Sequence, residues 1–147
     1  MNRTQLQEKY ASGDRNFQNL DLSGADLSGL DLRHTDFSGS DLYGTKLMDS
    51  LLAHANFSQN TNLAYADLRG ADLTNANFNG ANLDGARLEG ANTQGIVYGD
   101  RTKFPVGFDP TAAGAIHIQE IERQSRIAHT TALNQQPAPQ PAPQPLP

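Results

Sequence analysis

The 147 residues contain no cysteine and no tryptophan, and aromatic residues make up only 7% of them. Without thiols there is no disulfide framework and no thiolate metal site. No run approaches the roughly eighteen consecutive apolar residues that a membrane-spanning helix needs, so no membrane partner is expected. The opening segment, MNRTQLQEKY, lacks the apolar stretch of a secretory signal, and the expected location is the cytoplasm. Hydrophobic residues reach only 37%, which is little for a globule that must pack two layers around one core. Sixteen acidic residues against eleven basic ones leave a net charge of −5. That is the wrong sign for neutralising phosphates, so direct nucleic-acid binding is not expected.

What the chain has instead is a period of five. Phe17, Leu22, Leu27, Leu32, Phe37, Leu42, Leu47, Leu52 and Phe57 follow one another at that spacing. After a slip of one residue the series resumes at Leu63, Leu68, Leu73, Phe78, Leu83 and Leu88, and Thr93 closes it. Five fits neither the 3.6 of a helix nor the 2 of a strand. Two residues before most centres stands a small side chain, as at Thr35, Ser40, Thr45, Ala66 and Ala71. One residue before the centre is usually Asp or Asn, and two residues after it Gly appears nine times. The large and small residues are expected to point inward, the Asp and Asn to face water, and Gly to turn a corner by adopting positive φ. The fifteen Leu and Phe centres are then the structural core of a solenoid, whose column-like interior suits a low apolar content.

The number of sides follows from the phenylalanines. Phe17, Phe37, Phe57 and Phe78 recur at every fourth centre once the slip is counted, so four sides per turn place them in one column, which Tyr98 would extend. The extra residue near Gln59, Asn60 and Thr61 then reads as a bulge at a corner. Residues 15–98 should make about four to five coils spaced by about 4.8 Å.

Segments such as Ala25-Asp26-Leu27-Ser28-Gly29, Ala66-Asp67-Leu68-Arg69-Gly70 and Ala81-Asn82-Leu83-Asp84-Gly85 resemble the repeat of the pentapeptide-repeat family. The likeness extends over about 84 residues, and Arg101 to Pro110 is similar to the tails of cyanobacterial members. The resemblance implies an all-β solenoid, a right-handed quadrilateral β-helix. It implies no enzyme activity and no particular biochemical role.

Both ends of a solenoid need covering. Residues 1–14 read as an N-terminal capping helix, with a capping box at Thr4-Gln5-Leu6-Gln7 and with Leu6 and Tyr10 over the first coil. Residues 99–133 read as a C-terminal cap in which Phe104 and Phe108 fold over the last coil and Asp109-Pro110 opens a helix. Within it, 116–133 suits a strand followed by a helix, or a helix throughout. Residues 134–147, rich in Pro and Gln, are expected to be a disordered tail.

No set of residues resembles a catalytic constellation, a P-loop or a dinucleotide fingerprint, so no cofactor is expected. His34 and His54, twenty residues apart, should stack on one corner as a weak candidate for zinc or nickel, with Asp31 and Asp72 on the same side. The stronger lead is outward apolar material: Tyr43, Ala64 and Tyr65 on one side, with Met48 and Leu51 beyond. Tyr and Met commonly anchor protein contacts. These five are the candidate protein-binding residues, and the expected partner is another protein of unknown identity. The rival reading, which the resemblance supplies, is a DNA mimic that modulates DNA gyrase or another topoisomerase. Residues 15–98 carry ten acids and five bases, whereas duplex DNA carries roughly twelve charges over 20 Å. A third reading is a spacer that presents the Pro-rich tail. Monomer and dimer are not distinguished by any of these features.

Overall fold

A side of five residues leaves little room for a strand. Two residues turn the corner, and the extended remainder forms a single backbone rung with the coil on either side. The computed structural model, which describes residues 1–137 and 143–146, is built in this way. Parallel bridges run up four columns. The first links Asn16, Asp36, Asn56, Asn77 and Val97, and the second Asp21, Asp41, Asn62, Asn82 and Lys103. The third links Asp26, Lys46, Asp67 and Arg87, and the fourth Asp31, Leu51, Asp72 and Asn92. The ladder therefore runs past Tyr98, to Lys103 on the second column and to β2 on the first. Strand β1 (Val97–Tyr98) pairs in parallel with β2 (Ile116–His117), the one place among the described residues where two rungs follow each other.

Inside, Phe17, Phe37, Phe57 and Phe78 form one column with ring centroids 5.8, 5.4 and 5.0 Å apart. Leu22, Leu27, Leu32, Leu42, Leu47, Leu52, Leu63, Leu68, Leu73 and Leu83 fill the other three sides, none more than 1% exposed. Each such side chain contributes about 1.5–3 kcal/mol of burial, offset largely by chain entropy. Leu88 is only half-buried, contrary to its place in the repeat, because the chain above it leaves the regular path. Tyr98 leaves its column as well: its ring meets Phe104 and His117 edge-on, at 5.5 and 5.0 Å.

The corners are left-handed. Gly24, Gly44, Gly70 and Gly85 have φ between 61° and 70°, and Asn19, His34, Asp49, His54, Tyr65 and Asn75 take equivalent corners at 55–62°. The slip is absorbed at one corner by two successive left-handed residues, Gln59 (φ 58°) and Asn60 (φ 65°). Thr61 closes that bulge, its hydroxyl 2.7 Å from the Ser58 carbonyl while it accepts the Gly39 N–H at 3.0 Å. Thr102 closes the corner above in the same manner, bonding the Phe78 carbonyl at 2.9 Å and accepting from Gly80.

The Asp and Asn before each centre do more than face water. Their Oδ1 accepts the N–H two residues on, as from Asp21 to Ser23, Asp41 to Tyr43, Asn62 to Ala64 and Asn82 to Asp84. This is an Asx turn, which gives the corner's N–H a partner that the short ladder cannot supply. The small residue two before each centre has a second task where it carries a hydroxyl. Ser40, Thr45 and Ser50 donate to the carbonyls of Phe17, Leu22 and Leu27 one coil below, at 2.6, 2.8 and 3.0 Å.

Helix α1 (Arg3–Ala11) covers the first coil with Leu6 fully buried. Its capping box is formed by Asn2 and Gln5, not by the Thr4 segment, because the chain is already helical at Arg3. Arg15 lies over the Tyr10 ring at 3.6 Å, and the Tyr10 hydroxyl donates to the Arg33 carbonyl at 3.0 Å. At the other end Phe104 and Phe108 stack at 4.7 Å and pack on the core. Asp109-Pro110 opens a single turn and not a helix. Gly114 (φ 79°) ends it, with Gly114 N–H bonding Thr111 O and Ala115 N–H bonding Pro110 O, a Schellman closure. Helix α2 (Ile118–Asn134) follows β2 directly, so the stretch is a strand and then a helix. Its residues beyond Ile121 are all exposed. Residues 138–142 and 147 of the expected disordered tail lie outside the described residues, and Asn134 belongs to α2.

Candidate interaction surface

Tyr43 and Tyr65 come from adjacent coils, since the Gly44 N–H bonds Ala64 O and the Asp41 and Asn62 rungs pair. The two rings meet edge-on at 5.5 Å and remain 48% and 59% exposed. Tyr65 stands in a corner column that holds Gly24, Gly44 and Gly85 at its other levels. It takes φ 57° there, a conformation rare for a bulky side chain. Its ring lies across Gly85, where an added Cβ would stand 2.6 Å from Tyr65 Cε1. Ala64 belongs to the same pair of coils but is only 7% exposed, flush in the stack, so it offers a partner no surface.

Met48 and Leu51 lie on the next edge. Leu51 is 40% exposed, in the rung position that Asp31 and Asp72 hold below and above it. Met48 is half-buried, its Sδ 3.4 Å from the Arg69 guanidinium. The five candidates thus divide between two edges of the third side, with Ala64 withdrawn.

His34 and His54 stack with centroids 4.9 Å apart and planes 5° from parallel. Asp31 and Asp72 sit at the other end of that side, and among the described residues no group of three or more His, Asp or Glu could hold a metal ion. Asp31 belongs to Arg33, which grips it at 2.9 and 2.7 Å and draws its pKa down to about 2. Arg69 does the same for Asp67, which is also lowered. The hydroxyls of Ser23 and Thr74 lower Asp21 and Asp72. These carboxylates are committed to turns, which suits surface structure better than acid–base chemistry.

Sequence reasoning missed the turn role of the Asp and Asn residues, although their fixed position before each centre is its signal. It also missed Thr102, whose place after Gly99-Asp100-Arg101 parallels Thr61 after Ser58-Gln59-Asn60.

Residues 14–88 match the pattern of a pentapeptide repeat region. The chain is 33% identical to alr5209, a pentapeptide repeat protein from Nostoc Pcc 7120, covering 79% of this chain and 95% of that one with a TM-score of 0.61. It is also 33% identical to the pentapeptide repeat protein Rfr23 of the cyanobacterium Cyanothece 51142, over 62% of this chain and 65% of that one, with a TM-score of 0.35. With HetL of Nostoc sp. strain PCC 7120 it shares 32% identity over 66% of this chain and 47% of that one, with a TM-score of 0.33. No curated protein matches it.

Proposed function

The chain belongs to the pentapeptide repeat family, and from that premise we propose that it is a non-enzymatic, cytoplasmic interaction scaffold that binds another protein through the Tyr43–Tyr65 edge. The body is a right-handed quadrilateral β-helix of four coils and part of a fifth over residues 15–98. Residues 1–14 and 99–133 cap it. The observation that carries the reading is Tyr65. A left-handed tyrosine in a column of glycines costs about 1–3 kcal/mol of local strain, and the ring recovers little because it is 59% exposed. Stability does not account for it, whereas an aromatic anchor in a contact does. Met48 and Leu51 extend the surface across the third side.

The DNA-mimic alternative is favoured by no observation. The third column alternates in sign, Asp26, Lys46, Asp67, Arg87, and the other columns are interrupted by Asn and Leu. A stack of that kind lacks the continuous negative line of a duplex.

The experiment is affinity capture from cell extract with the wild type and with a Tyr43→Ser/Tyr65→Asn double variant, Asn being tolerated at positive φ. A partner held by the wild type and lost by the folded variant supports the reading. Equal capture by both refutes it.

A further inference from the structure

At its C-terminal end the coil stops unevenly. The first side ends on β2, the second on the Lys103 rung, and the fourth is closed by Gly114, whose carbonyl accepts the Gly95 N–H at 2.9 Å. The third side has no such covering. Below it the ladder is regular, with Leu68 N–H bonding Arg87 O at 2.8 Å, Gly70 N–H bonding Glu89 O at 3.1 Å and Arg87 N–H bonding Ala66 O at 2.9 Å. One level up, the N–H groups of Leu88 and Gly90 and the carbonyl of Ala86 have no protein partner among the described residues. The chain that should supply the rung swings outward in a turn, Phe108 N–H to Pro105 O, with Gly107 at φ 85° and Val106 fully exposed at its tip. Between them lies a cleft of about 280 Å³ lined by Ala86, Leu88, Glu89, Pro105, Gly107 and Phe108. Leu88 is half-buried at its floor.

The vacant rung carries its own specification. An added strand parallel to residues 86–90 would accept from Leu88 and Gly90 and donate to Ala86, repeating the bonds one coil below. Its residue over Leu88 would fall into the cleft, where an aliphatic side chain covers the exposed part of the core. Its residue over Arg87 would continue the column Asp26, Lys46, Asp67, Arg87, in which each charge faces its opposite. The next member is therefore acidic. Arg87 is exposed and makes no ion pair of its own among the described residues. Main-chain bonds supply the affinity in such strand addition, and side-chain pockets supply the choice of sequence.

We propose that the third side of the last coil is a docking site for one extended strand of another protein, parallel to residues 86–90, with an acidic residue over Arg87 and an aliphatic one over Leu88. The site is separate from the tyrosine edge, and either can fail without the other.

The test uses the full chain, isotope-labelled, titrated with a blocked peptide of sequence Ser-Ala-Asp-Leu-Thr-Gly-Ser and with its counterpart bearing Lys for Asp. Saturable amide shifts at Leu88, Glu89 and Gly90, with slowed hydrogen exchange at Leu88 and Gly90, are expected for the acidic peptide. The Lys peptide should bind about fivefold more weakly, the worth of one exposed charge pair. In Arg87→Asp the order should invert. Absence of saturable shifts, shifts confined to other surfaces, or the same preference in both proteins overturns the proposal. Protection of the Leu88 and Gly90 amides without peptide also overturns it: independent of concentration, it means that the chain's own tail fills the rung, and rising with concentration, that a second copy does.

Discussion

Thr35 and Thr45 occupy the same repeat position two coil sides apart, and both are fully buried. Their hydroxyls fare differently. Thr45 donates to Leu22 O at 2.8 Å, whereas Thr35 Oγ1 has no partner. The spacing explains why. Each hydroxyl of the series reaches a carbonyl 23 residues earlier, as Ser40 to Phe17 and Ser50 to Leu27. For Thr35 that residue is Ser12, which ends helix α1 and is not part of a coil. Replacing each threonine with valine keeps the shape and removes the hydroxyl. Thr45→Val forfeits a buried hydrogen bond and should destabilise by about 1 kcal/mol. Leu22 O keeps its bond from the Ala25 N–H, which limits the loss. Thr35→Val removes an unpaired buried hydroxyl and should stabilise by about 1 kcal/mol. The two variants thus differ by about 2 kcal/mol with opposite signs, which at a urea m-value of about 2 kcal/mol/M separates their midpoints by about 1 M. Urea unfolding followed by far-UV circular dichroism reads this directly. If Thr35→Val is destabilised as much as Thr45→Val, the helix does not replace a coil beneath Thr35, and the account of the N-terminal end is wrong.

Leu68→Asp should abolish cooperative unfolding, because a charge would enter the buried interior of the third side, where Leu68 is fully enclosed, with nothing to pair it, and an unchanged melting curve would contradict the register. Gly70→Ala and Gly24→Ala both force alanine to positive φ and should each cost about 1 kcal/mol. Gly70→Ala should cost more, since its Cβ meets the Asp49 carboxylate while that of Gly24 meets nothing, and Asp49→Gly should remove the excess in a double variant measured by urea unfolding. In acid the turn loses support from Asp21, Asp31, Asp67 and Asp72: their folded pKa values are depressed, that of Asp31 to about 2, so the stability they contribute is complete above their unfolded pKa of about 3.9 and is lost as pH falls from there through the folded values. Asp72→Asn, which keeps an acceptor for Thr74 N–H, should flatten that decline, and an identical acid-unfolding curve would show that the turn carboxylate does not drive it.

The interior of the coil was legible because every repeat sees nearly the same neighbours. Phe37 rests between Phe17 and Phe57 as Phe57 rests between Phe37 and Phe78, so one residue type answers one environment again and again. Periodicity alone then places the column and counts the sides. The ends lack that redundancy. Leu88 has the repeat's residue but no coil above it, and Tyr98 keeps its phase yet turns to Phe104 and His117. The cap box moved from Thr4 to Asn2 because a helix start depends on a single local contest among polar side chains. Ala64 shows a further limit: its position faces outward, but a methyl group is short enough to be covered by its own neighbours. The vacant rung at Leu88 was illegible for a related reason, since it arises from where the chain after Lys103 goes and not from any residue on the third side.

The bulge at Gln59 and Asn60 has a consequence for how such a chain tolerates insertions and deletions. Because the extra residue is housed at a corner, the sides before and after it keep their inward and outward phase, and the bridges merely shift from 20 to 21 residues apart. A single codon gained within a side would instead turn every later leucine toward water. A single extra residue should therefore be tolerated at corners, provided that it and its neighbour can go left-handed, as Gln59 and Asn60 do, and a following Thr can tie them down. What the fold requires of each residue is its angular phase, not its count along the chain.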